Sequence, residues 1–230
     1  MTPSQTSRAG QLRYSRLDVM SALWWSSILH LLLRDWQTAY THIETGIRVA
    51  EEHGFTVLAV LGSLCRGWAR SRLGYIGEGI EDLLHCRNYL SEIPNNILPW
   101  LFMALADACL VGRRQDEGLA AAASGLEFID RTACRFNEAE IRRLEGELLL
   151  LDGNSTGAAE CFEKAIASAR WQNAKAWKLR ASVSRARVLR GTGRRAEASA
   201  MLTDIYDWFT EGFDTADLKE AKALLDELGA

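Results

Sequence analysis

The sequence predicts an all-α chain of about five helical hairpins, closed by one further helix. Three observations predict it. Only 3 prolines occur in 230 residues, and no run alternates Val, Ile or Thr with polar residues, so strands are not expected. Small residues recur at Ala39, Gly79, Gly118, Ala158 and Ala198, about 40 residues apart, each with a small partner twelve positions earlier: Ser27, Gly67, Ala106, Gly146 and Ala186. A break falls between the members of each pair, near Asp35, Gly74, Gly112, Gly153 and Gly193. A fixed period of this kind marks stacked units that bury their faces on one another.

The unit Asn137–Trp171 shows the pattern best. Glu138–Asp152 predicts the first helix, Gly153-Asn154-Ser155 breaks it, and Ser155 or Thr156 is expected to cap the second. On that second helix Ala158, Phe162, Ala165, Ile166 and Ala169 share one face at helical spacing. Gly146 is expected to let the two helices approach, with Ala158 meeting it and Phe162 filling the space beside it. Small-x3-large-x2-small in the second helix points to tetratricopeptide-type hairpins with lengthened helices, stacked as a right-handed α-solenoid; a period near 40 leaves HEAT-like packing as the alternative.

The ends differ from the middle. Residues 1–15 are rich in Ser, Thr, Arg and Gln and are expected to form a disordered or loosely attached arm. The repeat array is assigned to 16–210. Within it, Leu17–Leu33 is apolar nearly all round, so both of its sides should be buried. Trp24 and Trp25 are adjacent and about 100° apart on a helix, and one packing surface does not cover both. A homodimer through this amino-terminal hairpin is one expectation for the second cover; residues 1–15 folding over the helix, or upstream repeats, are the alternatives. Residues 211–230 are assigned to a terminal helix whose outer face is polar (Lys219, Glu220, Lys222, Asp226, Glu227), which suits a cap.

Composition narrows the function. The formal charge of −3 gives no general attraction to nucleic acid or anionic membrane. Six arginines between 180 and 195 are not interleaved with aromatic residues, and an acidic helix follows them. The apolar run 19–33 contains serines and a histidine, is short for a span and lacks a cleavage site. The five cysteines form no CxxC pair and read as reduced, mostly buried residues of a cytoplasmic protein. No HExxH, GxSxG or GxxxxGK[ST] motif occurs, and no catalytic, metal or cofactor site is assigned. Glu138, Glu140, Glu145 and Glu147, alternating with Arg142 and Arg143, read as a solvated, ion-paired helix face.

Glu52-His-Gly-Phe55, Arg66-Gly-Trp-Ala69, Asn137–Leu149, Ala159–Ile166 and above all Trp208–Asp226 carry a resemblance. Over roughly residues 40–228 the chain resembles the carboxy-terminal tetratricopeptide region of large bacterial proteins that join an adenylate/guanylate cyclase domain to a signalling ATPase. Neither enzymatic part is present in this sequence. The resemblance implies protein–protein interaction and regulation in a bacterial signalling system.

In tetratricopeptide arrays the first helix of each hairpin lines the concave face. By the repeat alignment, Trp24, Trp68, Trp100, Met103, Arg143, Arg180 and Arg187 are the expected ligand-binding residues of a groove, alongside Ile28, Leu64, Asp107, Glu140, Glu147 and Val183. One half is expected to take the apolar anchors of a partner segment, and the other to offer Arg143, Arg180 and Arg187 to a carboxylate or phosphate. A small-molecule sensor, with its ligand inside the superhelix, is the alternative function.

Overall fold

The computed structural model describes residues 3–90 and 97–229, with side chains from residue 16 onward. Among the described residues there are eleven helices and no strand. They fall into two compact units, Met1–Pro94 and Asn95–Ala230. Unit 1 holds the hairpins α1 (Pro3–Leu32)/α2 (Trp36–Glu52) and α3 (Thr56–Arg72)/α4 (Ile76–Leu90). Unit 2 holds α5 (Leu98–Val111)/α6 (Gln115–Thr132), α7 (Glu138–Leu150)/α8 (Ser155–Trp171), α9 (Lys175–Gly191)/α10 (Arg195–Tyr206) and the last helix α11 (Ala216–Gly229). The expected all-α, α-solenoid type of hairpin stacking is what the chain forms. The side chains of the expected arm, 1–15, lie outside the described residues.

The small pairs sit where the helices of a hairpin cross. All ten are buried. In the α3/α4 hairpin the contact is backbone on backbone: a Cβ at Gly67 would stand 2.6 Å from the Gly79 carbonyl oxygen, and one at Gly79 the same distance from the oxygen of Gly67. In α7/α8 the space serves a ring instead. A Cβ at Gly146 would come within 2.5 Å of Phe162, which is fully buried, so Gly146 makes room for Phe162 rather than for a close approach of Ala158.

Each hairpin turns through one left-handed residue: Arg34 (φ 64°), Gly74 (99°), Arg113 (54°), Gly153 (75°) and Gly193 (79°). These repeat the period of the small pairs. Two differ by one residue from the expected breaks. Asp35 follows the turn and caps α2, its carboxylate accepting from the Thr38 N–H at 3.2 Å. Gly112 is the right-handed C-cap of α5, and the strained conformation falls on Arg113, at a cost of about 1 kcal/mol for a side chain with a Cβ. The cap of α8 is Asn154, accepting from the Gly157 N–H at 3.0 Å, with Ser155 already the first helical residue.

Helix packing defines an inner side in each unit. Consecutive first helices touch: α1 with α3, and α5 with α7, α7 with α9, α9 with α11. Among the described residues α2 does not reach α4, nor α6 α8, nor α8 α10. The first helices therefore line the tighter face. At the end of unit 2, Leu218, Ala221, Leu224 and Leu228 of α11 pack on Leu179, Val183, Leu189, Leu202 and Ile205 of α9 and α10.

Candidate functional site

The first-helix face of unit 2 carries a seam of charged side chains. Positions three and four apart on a helix share a face. This puts Glu140, Arg143 and Glu147 of α7 in one row, Arg180, Ser184 and Arg187 of α9 in the next, and Asp217 and Glu220 of α11 beyond. Arg143 grips Glu140 through two bonds, Nε–Oε2 at 2.9 Å and Nη2–Oε1 at 2.7 Å, and reaches Glu147 at 3.3 Å. The Ser184 hydroxyl donates to the same Glu147 oxygen at 2.5 Å. Arg180 donates from Nε to Asp217 at 2.7 Å, lies 3.7 Å from Glu140, and sits with its guanidinium over the Trp177 ring. Arg187 pairs with Glu220 at 2.5 Å.

Burial decides what this seam can do. Glu138 and Glu140 are only 4% exposed and Asp107 of α5 only 2%. The row on α7 is ion-paired as expected but not solvated, because α5 and α9 pack over it. Desolvation works against the charge of Arg143, but Glu140, Glu147 and Asp107 outweigh it and raise its pKa, so it stays charged. Along the seam the carboxylates of Asp107, Glu140, Glu147, Asp217 and Glu220 are interleaved with the guanidinium groups of Arg143, Arg180 and Arg187. Arg143 and Arg180 are thus committed to internal carboxylates. Arg187, with its side chain 43% exposed, is the most open of the three arginines expected to meet an anion.

The apolar residues expected to line the groove are divided between the units. In unit 1, Trp68 is buried beside Trp36, with ring centroids 6.1 Å apart. Trp24 is half-buried, with its indole nitrogen shut away from solvent. In unit 2, Met103 is fully buried, with the Asn137 amide 4.0 Å from its sulfur, and Trp100 is half-buried against Phe136. Trp68 and Met103 are corrected by this geometry. Both fill space between helices and present no open surface, because a first-helix position that points between neighbours is core rather than groove.

Sequence reasoning missed the acids of α11. The separation itself carried a signal. Arg180–Asp217, Ser184–Glu147 and Arg190–Glu227 are each 37 residues apart, the offset between facing positions of successive first helices. All six arginines of the 180–195 run are matched: Arg180, Arg187 and Arg190 to acids of α11, Arg195 to the Glu227 carbonyl, Arg185 to Glu163 and Arg194 to Glu197. That run therefore presents no unpaired positive stripe. In unit 1 a comparable cluster joins three helices, Arg66 and Arg70 of α3 clasping Asp82 of α4 with Glu44 of α2 beside them.

Burial pushes the thiols of Cys65 and Cys86 up to about 12 and those of Cys109 and Cys161 up to about 11, which keeps them protonated at neutral pH. Among the described residues no three His, Cys, Asp or Glu side chains are grouped to hold a metal ion, and no helix is long and apolar enough to cross a membrane. A cavity of about 370 Å³ in unit 1 is lined by Ile47, Val60, Ser63, Arg66 and His85 among others. A second, of about 310 Å³ in unit 2, is lined by Arg135, Glu138, Ala167, Ser168 and Trp171. Neither contains a residue expected to line the groove.

Solved structures resemble this architecture. A thermophilic TPR protein of Thermus thermophilus aligns with a TM-score of 0.62 at 18% identity, covering 90% of this chain and 99% of that one. The nearly identical TPR-like repeats of a Podosopora anserina protein align with a TM-score of 0.55 at 13% identity, covering 90% and 95%. A substituted form of those repeats gives 0.57 at 14%, covering 81% and 92%. The fold is a tetratricopeptide-like helical repeat. No family model matches the chain, and no curated protein sequence does.

Proposed function

We propose that this chain is a non-catalytic protein-interaction module of a bacterial signalling or regulatory system, and that a partner segment binds along the first-helix face of unit 2. The observation that carries the reading is the buried seam of Asp107, Glu140, Arg143, Glu147, Arg180 and Asp217. Burying ion pairs is costly, and apolar residues of the same volume would hold helices together as well or better. A charged row on the tighter face of a helical repeat is better suited to recognising a polar partner than to cohesion. Arg187 at its margin, the most open of its arginines, is placed to take a carboxylate of such a segment. The likeness of residues 208–226 to the tail of cyclase–ATPase proteins supports the signalling setting. A homodimer through the amino-terminal hairpin is compatible with this reading and independent of it.

The test compares proteins captured from bacterial lysate by the wild type and by an Arg187→Glu, Glu220→Arg double variant, which keeps an ion pair while reversing its polarity. A partner retained by the first and lost by the second, with helix content unchanged, is the expected result. Identical capture by both removes this face as the binding site. A rise in melting temperature with a metabolite, and no protein capture, would favour the small-molecule sensor instead.

A further inference from the structure

We propose that the α1/α2 hairpin holds a late first-row divalent metal ion, of the Ni2+, Cu2+ or Zn2+ class, between His30 and His42. His30 lies near the end of α1 and His42 in the first half of α2. The hairpin sets the two rings side by side, with centroids 5.4 Å apart and planes at 82°. Metal–imidazole bonds are about 2.0–2.1 Å long, and two of them at a tetrahedral angle hold the ring centres about 5 Å apart. The observed separation suits two ligands of one ion. Rotation about each metal–nitrogen bond leaves the angle between the planes free.

Both rings are already aimed. His30 Nδ1 lies 3.1 Å from Asp35 Oδ2, and His42 Nδ1 lies 2.9 Å from the Ser26 hydroxyl. Hydrogen bonds from Thr38, with His30 adding to them, hold the Asp35 carboxyl below its usual range, so it stays charged. An ionised carboxylate only accepts, so in the neutral ring of His30 the proton sits on Nδ1 and Nε2 carries the lone pair. The same tautomer of His42 donates from Nδ1 to Ser26. The two Nδ1 atoms are drawn in opposite directions, toward the hairpin turn at Asp35 for His30 and toward Ser26, one helical turn back, for His42. Each Nε2 is thereby turned toward the interval between the rings, and among the described residues neither has a further protein partner. A histidine braced at one nitrogen by a carboxylate and offering the other is the form in which metals are bound. Both histidines are half-buried, so water reaches the remaining coordination positions. Two imidazole donors favour the late transition ions over Mg2+ or Ca2+, which take oxygen. This site lies in unit 1 and does not depend on the partner face proposed for unit 2.

Isothermal titration of the full chain with NiCl2, repeated with ZnCl2, should show one ion bound per chain. His42→Ala should abolish that binding, whereas His85→Ala, which removes an exposed histidine elsewhere in unit 1, should leave it unchanged. Asp35→Asn should weaken it roughly 10–100-fold, as loss of the carboxylate behind a ligating histidine does. That variant keeps the cap of α2, since Asn caps a helix as well as Asp does. Thermal melting without metal verifies that each variant folds. Added Ni2+ should then raise the Tm of the wild type and of His85→Ala but not that of His42→Ala. A wild type that takes up no ion at submillimolar metal overturns the proposal. Equal affinity in the wild type and His42→Ala also overturns it, because the ion then sits on other histidines or on the native thiols. So does an affinity that Asp35→Asn leaves unchanged.

Discussion

Gly67→Ala tests the account of how the hairpins close. The added methyl would stand 2.6 Å from the Gly79 carbonyl oxygen and 2.9 Å from Asp82 Cβ and Leu83 Cγ. Ordinary contacts lie near about 3.5 Å. The nearest obstruction is backbone, so no rotamer change relieves it, and α3 and α4 must separate. Separation also loosens the bidentate Arg66–Asp82 pair across the same crossing, at 2.9 and 2.6 Å. Overpacking of this kind costs about 3 kcal/mol at the upper end of its range. Replacing glycine by alanine inside a helix returns about 1 kcal/mol. The net loss is about 2 kcal/mol, or roughly 4–8 °C for a chain of this size. Gly77→Ala is the control. It lies in the first turn of α4 with nothing within 4 Å of its Cβ, so only a gain of up to about 1 kcal/mol remains. Calorimetry should place the two variants on opposite sides of the wild type. Equal melting temperatures for both would refute the backbone crossing at Gly67.

Arg113→Gly should raise stability by up to about 1 kcal/mol, because glycine adopts φ 54° without the strain of a Cβ; chemical denaturation beside Arg113→Ala, which gains nothing, checks this. Arg180→Ala should cost about 3 kcal/mol, since it leaves Glu140 and Asp217 charged and largely buried, whereas Arg187→Ala, at a more open pair, should cost less than about 1 kcal/mol. Equal costs for the two arginines, measured by urea unfolding, would mean that the depth of the seam does not matter.

What the sequence showed and what it hid follow from range. The small pairs were legible because the steric demand at a helix crossing falls on the residue itself, whether the neighbour is a carbonyl, as at Gly67, or a ring, as at Gly146. Turn positions were legible to within one residue. Several polar residues can cap a helix, and so Asn154 rather than Ser155 took that role in α8. The candidate site was less legible. Spacing showed that Arg143 would meet Glu140 and Glu147, but not that packing from α5 and α9 would bury them. It showed Arg180 and Arg187 on one face, but not the acids of α11 that neutralise them. Trp68 and Met103 had the right phase for the first-helix face, yet phase does not separate a side chain pointing outward from one wedged between helices. For Trp24 and Trp25, adjacency foretold opposite fates; only the fold assigned Trp25 to the outside.

The inner contact between first helices, with no matching contact between second helices, has a mechanical meaning in unit 2. A stack joined along one line bends about that line. Opening or closing the outer side between α6 and α8, or α8 and α10, breaks no second-helix packing, because none is there among the described residues. The resistance comes from the seam, where Arg180–Asp217 and Ser184–Glu147 span adjacent first helices like short ties. Because Arg180 and Asp217 are largely shielded from water, salt screens this tie far less than it would an exposed pair. Unit 2 is thus a leaf spring whose stiffness is set by the polar ties between its first helices rather than by its second helices.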